Sequence, residues 1–439
     1  MFSPDTYARR RRAFMDRIGT NAAAILPAAP VAVRSNDVDY TYRADNDVLY
    51  LTGFVEPEAV CVLVPGHPKE EFVLFVRPRD PERETWTGRR AGVEGAIATY
   101  GAQAAYPIDK LDEKINDCVG ERDHLYYAFG RDTAFNQRVI MWLQRWQQMR
   151  PRSGAGPMAT LDPGEVLHEM RLVKSDEELE HMRRAIAIAA EGHHAAMRSA
   201  HDGMHEYEIE ALLDYTFRKH GAAGPAYPSI VAGGDNATIL HYTSNDQRLR
   251  AGELLLIDAG AEYQGYCADV TRTFPVGHRF SAAQRAIYDL VLQAQLAAIA
   301  VIHPGARVDE PHTRAVEVLV DGLLALGLLK GDRQEIIGKE LYKPFYMHRT
   351  GHWLGLDVHD VGKYKVEGSA RVLEPGMVLT VEPGIYIAPN CRDVEPHYRG
   401  IGVRIEDDVL VTAAGHEVLS AAVPKDAADL EALRPHAPA

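Results

Sequence analysis

The sequence predicts an α/β N-terminal domain at 1–172, followed by an α+β domain at 173–439 with internal pseudo-twofold symmetry. Two observations support this prediction. Short apolar strands and amphipathic helices alternate in the first part, and later an order of two helices followed by antiparallel strands occurs twice. The 439 residues are enough for two or three domains of ordinary size.

In the N-terminal domain, apolar spacing defines the elements in turn. They are a basic amphipathic helix at Thr6–Ile18, strands at Ala22–Leu26, Val48–Thr52, Val60–Val64 and Phe72–Val76, and a helix at Phe135–Arg150. The turn-rich segment 150–157 is interpreted as a surface loop rather than a domain linker. Ser175 and Glu178 have the spacing of a capping box, which predicts that a long helix begins there.

The duplication lies in the second domain. Its predicted helices are Asp176–Ala200 and Glu206–His220 in the first copy, and Ser281–Ile302 and Val308–Leu326 in the second. Predicted strands follow each helix pair. This order predicts a site between the two halves.

Composition excludes several functional classes. Lys and Arg number 48 against 62 Asp and Glu, a net charge of −14, so nucleic acid is not an expected partner. No apolar run approaches the roughly 18 residues of a membrane helix, so no membrane partner is expected either. The four cysteines form no CxxC pair, which argues against a disulfide framework or a thiolate zinc site and indicates a reducing, cytoplasmic location.

Two aspartates occur in consecutive apolar strands. Asp258 lies in Leu254–Gly260, and Asp269 lies in Tyr266–Thr273. With the connecting turn centred between Tyr263 and Gln264, the two aspartates are directly opposed, with Cβ atoms about 5 Å apart. A bulge at Gly265 would break this register. Two carboxylates so placed repel each other unless a cation lies between them, whereas the alternative is that one Asp merely caps the turn.

Two glutamates follow the same pattern. Met377–Tyr386 alternates as a strand that contains Glu382, and in 400–412 the side chains of Arg404 and Glu406 share a face. A glutamate among apolar strand residues is expected to be partly buried and to need a partner. A buried Arg404–Glu406 ion pair is the alternative, but it leaves Glu382 unexplained.

Histidine completes the set of candidate ligands. His348, His352 and His359 lie within one glycine-containing segment, whereas His241 is a weaker candidate beside an apolar stretch. The four carboxylates carry four negative charges, which two divalent cations would neutralise. Oxygen ligands with one imidazole favour Mn²⁺, with Co²⁺, Fe²⁺ or Zn²⁺ also possible. Two such ions can hold a bridging hydroxide as a nucleophile.

In order and local context, these residues resemble the metal ligands of the pita-bread metallopeptidases. The matching ligand positions are Asp258, Asp269, His352, Glu382 and Glu406, and the segment 348–360 resembles the signature of the proline-specific branch, aminopeptidase P and prolidase. Segments 34–37, 50–58, 86–90, 168–171 and 398–408 look like bacterial aminopeptidase P, which extends the resemblance over nearly the whole chain. The resemblance implies a pita-bread catalytic domain and hydrolysis of the N-terminal Xaa-Pro bond of peptides by a hydroxide bridging two metal ions.

The resemblance also implies individual roles. One metal would be bound by Asp269, His352, Glu382 and Glu406, and the other by Asp258, Asp269 and Glu406. Glu382 would also shuttle a proton, His359 would stabilise the oxyanion, His348 and His241 would line the proline side, and Arg404 would orient the carboxylates and bind substrate. Trp86 would reach a neighbouring subunit's site in a tetramer, so a homodimer or homotetramer is expected. Arg349 and Thr350 depart from the smaller residues of close relatives, and would either narrow the entrance or add a charge contact.

Other functions are compatible with parts of this pattern. A prolidase restricted to Xaa-Pro dipeptides would use the same chemistry with a closed pocket. A metal-free binding protein or a creatinase-like hydrolase predicts loss of ligands, yet all five are present. An ion-pair network without catalysis would leave four carboxylates near few cations, at a large desolvation cost.

Overall fold

The structure is a computed structural model that describes residues 2–277 and 279–433. The chain divides into two units, Met1–Arg171 and Leu172–Ala439. The first unit contains a mixed sheet of strand order β6-β5-β4-β1-β7-β8. Its apolar core includes Val62, Phe75 and Trp142, which come from two strands and the longest helix of the unit.

The helices are α1 (Pro4–Ile18), α2 (Asn46–Thr52), α3 (Pro81–Thr87), α4 (Gly92–Ala98), α5 (Leu111–Val119), α6 (Thr133–Ser153) and α7 (Gly164–Leu172), which ends at the unit boundary. The strands are β1 (Ala22–Pro27), β2 (Val33–Ser35), β3 (Val38–Asp39), β4 (Val60–Leu63), β5 (Phe72–Val76), β6 (Ala104–Pro107), β7 (His124–Tyr126) and β8 (Ala159–Leu161).

One predicted strand of this unit is wrong. Residues 48–52 belong to helix α2, not to a strand. The side chain of Asp45 accepts hydrogen bonds from the backbone N–H groups of Asp47 and Val48, and Gly53 ends the helix at a φ of 69°. This cap and this stop signal outweigh the strand preference of the apolar residues between them. Helix α6 also extends past its predicted end to Ser153, so the first part of the predicted loop at 150–157 is helical.

The second unit repeats one pattern. Helix α8 packs on α9 ahead of a sheet of order β10-β11-β14, and α10 packs on α11 ahead of a sheet of order β17-β20-β21. The capping box predicted at Ser175 and Glu178 is present. The helices are α8 (Asp176–Ser199), α9 (Glu206–Lys219), α10 (Ala282–Ala300), α11 (Glu310–Ala325), α12 (Arg333–Gly338) and α13 (Ala427–Ala432). The strands are β9 (Gly224–Pro225), β10 (Ile230–Gly233), β11 (Leu254–Asp258), β12 (Ala261–Tyr263), β13 (Tyr266–Cys267), β14 (Thr271–Pro275), β15 (Lys365–Val366), β16 (Ser369–Ala370), β17 (Val378–Val381), β18 (Gly384–Tyr386), β19 (Gly402–Arg404), β20 (Asp407–Thr412) and β21 (Gly415–Val418).

The register of the β11–β14 hairpin differs from the prediction. Asp258 pairs with Thr271, not with Asp269, and Tyr263 pairs with Tyr266. The turn is therefore centred between Gln264 and Gly265, whose φ angles are 53° and 86°. Two consecutive residues with positive φ are typical of a type I′ turn, which matches the twist of a hairpin and shifts the register by one residue on each strand.

Glu382 and Glu406 lie outside the strands in which they were predicted. Glu382 follows β17 directly, and Glu406 lies between β19 and β20. Pro383 has no N–H to donate to a ladder, so the strand is interrupted after Glu382. Each glutamate is consequently held where two short strands meet.

A buried ion pair supports the segment next to Glu406. The guanidinium of Arg272 lies 2.7 Å from a carboxylate oxygen of Asp407, and both side chains are fully buried. Arg272 also donates hydrogen bonds to the backbone carbonyls of Thr271 and Glu406. One guanidinium therefore fixes the backbone at both Thr271 and Glu406. Among the described residues, no helix is long and apolar enough to cross a membrane.

We predict that Asp407→Ala destabilises the protein by about 3–5 kcal/mol, because it leaves the charge of Arg272 buried and unpaired. The control is Glu417→Ala, which removes the exposed ion pair between Arg183 and Glu417 and should change stability by about 1 kcal/mol or less. Urea unfolding followed by circular dichroism measures both. Equal effects of the two substitutions would contradict this account of the core.

Candidate metal centre and active site

Nine of the ten residues predicted for the site meet at one cavity of the second unit, with a volume of about 890 Å³. They are Asp258, Asp269, His352, Glu382, Glu406, His241, His348, His359 and Arg404. Trp86 lies on α3 of the first unit, is 86% exposed and is not among the residues that line the cavity.

Three of the five predicted ligands form a compact group. One potential ligand atom from each of Asp269, His352 and Glu406 lies within 4.8 Å of the other two. The His352 Nε2 atom is 3.4 Å from Asp269 Oδ2 and 3.6 Å from Glu382 Oε1, which brings a fourth ligand to the same place. These distances are those of donor atoms gathered around a common centre.

Tyr227 connects Asp258 to this group. Its hydroxyl oxygen lies 2.6 Å from Asp258 Oδ1 and 2.5 Å from Asp269 Oδ1. A phenol has one proton and donates it to one carboxylate at a time. The two aspartates are not directly paired in the strand ladder. Their carboxylates nevertheless converge, as the sequence predicted for a cation site.

Backbone pairing brings His352 to Glu382. The N–H of Glu382 donates to the carbonyl of Thr350 at 2.7 Å, and the N–H of Thr380 donates to the carbonyl of His352 at 2.9 Å. Gly351 permits this approach, because a Cβ atom there would lie 2.0 Å from the Thr380 carbonyl oxygen. The glycine in the His348–His352 segment is thus a requirement of the site geometry.

The His352 ring is oriented as a ligand. Its Nδ1 lies 2.9 Å from the Trp353 carbonyl oxygen, so Nδ1 carries the hydrogen and Nε2 faces the carboxylates. Burial disfavours the imidazolium, but the hydrogen bond to Asp269 and the charge of Glu382 outweigh it and raise the pKa of His352 to about 9. In the absence of a cation, His352 itself carries the positive charge.

The crowded carboxylates have raised pKa values. Burial raises the pKa of Glu382 to about 7, even though His352 and Arg404 oppose the shift. Burial and the neighbouring Asp269 and Glu382 raise the pKa of Glu406 well above its usual range. These shifts reflect desolvation and repulsion that divalent cations would relieve, and the donors are hard oxygens with one imidazole. The residues present therefore fit the metal ions that the sequence predicts.

Arg404 is a buried cation of the site. Its Nη2 lies 2.5 Å from Asp258 Oδ2, its Nε donates to the Thr271 hydroxyl, and its Nη1 donates to the Tyr386 hydroxyl. The Thr271 hydroxyl in turn donates to Glu406 Oε2 at 2.6 Å. Arg404 thus orients one carboxylate directly and a second one through Thr271.

The other histidines lie on separate parts of the wall. Burial and the nearby charge of Arg404 lower the pKa of His348 to about 3, so this ring is neutral, and its Nε2 lies 2.8 Å from the Tyr386 hydroxyl. The ring of His359 meets that of His352 edge to face, with centroids 4.4 Å apart. Burial and the charge of His352 lower the pKa of His359. His241 is exposed at the cavity wall.

Four residues of the site were missed from the sequence. They are Tyr227, Thr271, Tyr386 and His312. In the predicted alternation of residues 377–386, Tyr386 falls on the same face as Glu382, so the sequence could have indicated it. Thr271 pairs with Asp258 once the turn is centred between Gln264 and Gly265. Tyr227 and His312 lie far from the ligands in sequence, and no local pattern distinguishes them.

Comparisons with known proteins agree with this geometry. The model of metallopeptidase family M24 matches residues 180–413, and that of the aminopeptidase P N-terminal domain matches residues 7–126. The chain belongs to metallopeptidase family M24. The predicted fold class, an α/β N-terminal domain with a pita-bread catalytic domain, is confirmed by the M24 family match and by the structural relatives.

Relatives within family M24 align over nearly the whole chain. The chain is 44% identical to Xaa-Pro aminopeptidase of Escherichia coli K12, covering 98% of both proteins. It is 34% identical to human Xaa-Pro aminopeptidase 3, covering 97% of this chain and 85% of that protein. Among solved structures, an aminopeptidase of Pseudomonas aeruginosa superposes with a TM-score of 0.96 at 52% identity, covering 98% of both chains.

We predict that affinity for Mn²⁺ rises with pH between 6 and 8.5. Glu382, with a pKa of about 7, and His352, with a pKa of about 9, must both lose a proton to bind a cation. Each displaced proton changes the apparent affinity about tenfold per pH unit. Calorimetric titration in buffers of different ionisation enthalpy measures the affinity and the protons released.

The control for this titration is His312→Gln, which alters a histidine of the same cavity that is outside the ligand set. The variant should keep the pH slope of the unaltered protein. A slope of zero in the unaltered protein, or a fall in affinity with rising pH, would contradict the protonation states described above.

Proposed function

We propose that this protein is a metal-dependent aminopeptidase that hydrolyses the N-terminal Xaa-Pro bond of peptides and releases the first amino acid. The observation that carries the proposal is the convergence of Asp269, His352 and Glu406, with Asp258 and Glu382 beside them, in one cavity large enough for a short peptide. Relatives that are named Xaa-Pro aminopeptidases align with the chain over almost its full length, which supports the same substrate class.

The five ligands would bind two divalent cations, with Mn²⁺ favoured and Co²⁺, Fe²⁺ or Zn²⁺ as alternatives. Asp269 and Glu406 would be shared between the ions, Asp258 would complete one set, and His352 and Glu382 the other. When bound, such a pair supplies an activated water nucleophile and polarises the scissile carbonyl.

Glu382 is the proton carrier of the proposed reaction. Glu382 Oε1 lies 3.6 Å from His352 Nε2, within the proposed ligand group, where a carboxylate can accept a proton and then return it. The leaving proline nitrogen needs a proton, and Glu382 lies on the cavity wall where it can deliver one.

The remaining residues bind and orient the substrate. His359, whose ring is held against His352, donates a hydrogen bond to the oxyanion as charge develops on it. His348 and His241 border the proline ring, and the neutral imidazole of His348 suits an apolar ring. Arg404 keeps the carboxylates in place and reaches the cavity.

The bond before proline explains why such a site is needed. It is a tertiary amide without an N–H, and its rotation is restricted. A peptidase that recognises its substrate through a hydrogen bond from that N–H cannot make this contact at an Xaa-Pro bond. A metal centre requires only the carbonyl oxygen, the terminal amine and space for the ring.

We predict metal-dependent release of Xaa from Xaa-Pro-Yaa tripeptides. Metal-stripped protein is incubated with a tripeptide, with and without Mn²⁺, and the products are identified by mass spectrometry. Xaa and Pro-Yaa should appear only with metal. The matched control substrate replaces proline by alanine and should be cleaved far more slowly.

Two other results would count against the proposal. Cleavage of Xaa-Pro dipeptides alone would identify a prolidase, and this second candidate uses the same ligands. Equal cleavage of the proline and alanine tripeptides would remove the proposed specificity.

We predict that Glu382→Gln lowers kcat by about 10²–10⁴-fold, because the amide carries no proton between water and the leaving nitrogen. Metal content is measured alongside, since Glu382 is also a proposed ligand. Glu374→Gln, an exposed position outside the cavity, is the matched control and should retain full activity. A Glu382→Gln enzyme that binds its full metal complement and keeps its kcat would exclude this role.

The wider organisation is part of the proposal. We place the domains at 1–172 and 173–439, and all the catalytic groups in the second. A homodimer or homotetramer would bring the exposed Trp86 to a neighbouring subunit. Four free cysteines, three of them buried, suit a reducing cytoplasm.

A further inference from the structure

Arg349 lines the cavity but takes no part in the ligand cluster. Its side chain is exposed, and within residues 2–277 and 279–433 no carboxylate lies at ion-pair distance from its guanidinium. In a chain of net charge −14, a cation that faces a binding cavity without a partner is available to an anionic ligand.

The backbone that carries Arg349 is fixed on both sides. The carbonyl of Arg349 accepts a hydrogen bond from His348 Nδ1 at 2.8 Å. The next residue, Thr350, is buried, and its hydroxyl lies 2.9 Å from His312 Nδ1 and 2.6 Å from the Tyr346 hydroxyl. The backbone from which the Arg349 side chain extends is therefore held in place.

The charge on this part of the wall comes from Arg349. Burial and the proximity of Arg349 lower the pKa of His312 to about 4, so that ring is neutral at physiological pH. The other exposed charged side chains of the cavity, Asp309 and Lys365, are of opposite sign to each other. Together with Arg349 these two side chains leave one net positive charge on the exposed part of the lining, whereas the other four carboxylates of the cavity belong to the proposed ligand group.

The position of Arg349 relative to the substrate follows from its neighbour. The proposed function, on which this inference rests, places the proline ring against His348. Arg349 is the next residue, lines the same cavity and is exposed, so its side chain can reach the part of the peptide that follows proline and leads out to solvent. We propose that Arg349 determines specificity by binding a carboxylate on that part, either the terminal carboxylate of a tripeptide or an acidic side chain at its third position.

The test compares substrates that differ by one charge. We measure kcat/KM for Ala-Pro-Ala as free acid and as C-terminal amide, with Mn²⁺-loaded full-length protein. The unaltered enzyme should prefer the acid by about two- to fivefold, the range of an exposed charge pair. The preference should appear in KM, because the contact is remote from the scissile bond, and it should decrease with added salt.

Variants assign the preference to Arg349. Arg349→Gln should hydrolyse acid and amide equally, whereas Arg349→Lys should keep part of the difference. The matched control is Arg314→Gln, which removes one exposed arginine from α11 outside the cavity and should keep the full preference. A second pair, Ala-Pro-Glu-amide and Ala-Pro-Gln-amide, separates a side-chain carboxylate from a terminal one.

Each result of these measurements supports or overturns the inference about Arg349. Loss of either preference in Arg349→Gln supports the inference and identifies which carboxylate is bound. Equal rates for both substrate pairs in the unaltered enzyme, or preferences unchanged in Arg349→Gln, overturn it and leave the proposed function intact, since the amides are still hydrolysed. Failure of the metal-loaded unaltered enzyme to cleave any of these peptides overturns the proposed function and this inference with it.

Discussion

The mutual repulsion of four carboxylates in one cavity is the constraint on which the rest of the site depends. Asp258, Asp269, Glu382 and Glu406 face a common space, and burial raises the pKa of Asp258, Glu382 and Glu406. Desolvating several like charges is tolerable only with compensating cations. The chain supplies the buried guanidinium of Arg404, and the proposed metal ions would supply the remainder.

The scaffold holds these groups by backbone pairing rather than by long side-chain reach. Glu382 and His352 are brought together by hydrogen bonds between segments 350–352 and 380–382. Glu406 is held by the N–H to carbonyl bond with Thr271 and by the Arg272 guanidinium on its own carbonyl. Each of these side chains therefore extends from a paired or buried backbone, which is the preorganisation that a hydrolytic site requires.

Several errors of sequence interpretation have specific physical causes. Residues 48–52 are helical because the Asp45 cap and the Gly53 stop act on both ends of a segment too short for periodicity to decide. The register of Asp258 was misplaced because either Tyr263-Gln264 or Gln264-Gly265 can form the centre of the turn, and only the positive φ of both Gln264 and Gly265 selects the second. The break after Glu382 was foreseeable from Pro383, which cannot donate to a strand ladder.

By itself the sequence determined the fold class and the chemical class of the site, because apolar periodicity, capping residues and carboxylates in apolar strands are local signals. It also indicated which carboxylates would share the site, since a charged group among buried apolar residues needs a partner wherever its neighbours lie. Only the tertiary structure decided that Tyr227 joins the two aspartates, that His312 holds Thr350 and that Arg349 faces the cavity. The contacts of Tyr227 and His312 join residues that are 31 to 42 positions apart in the sequence, and the placement of Arg349 depends on the direction of an exposed side chain. No local pattern encodes such distances or directions.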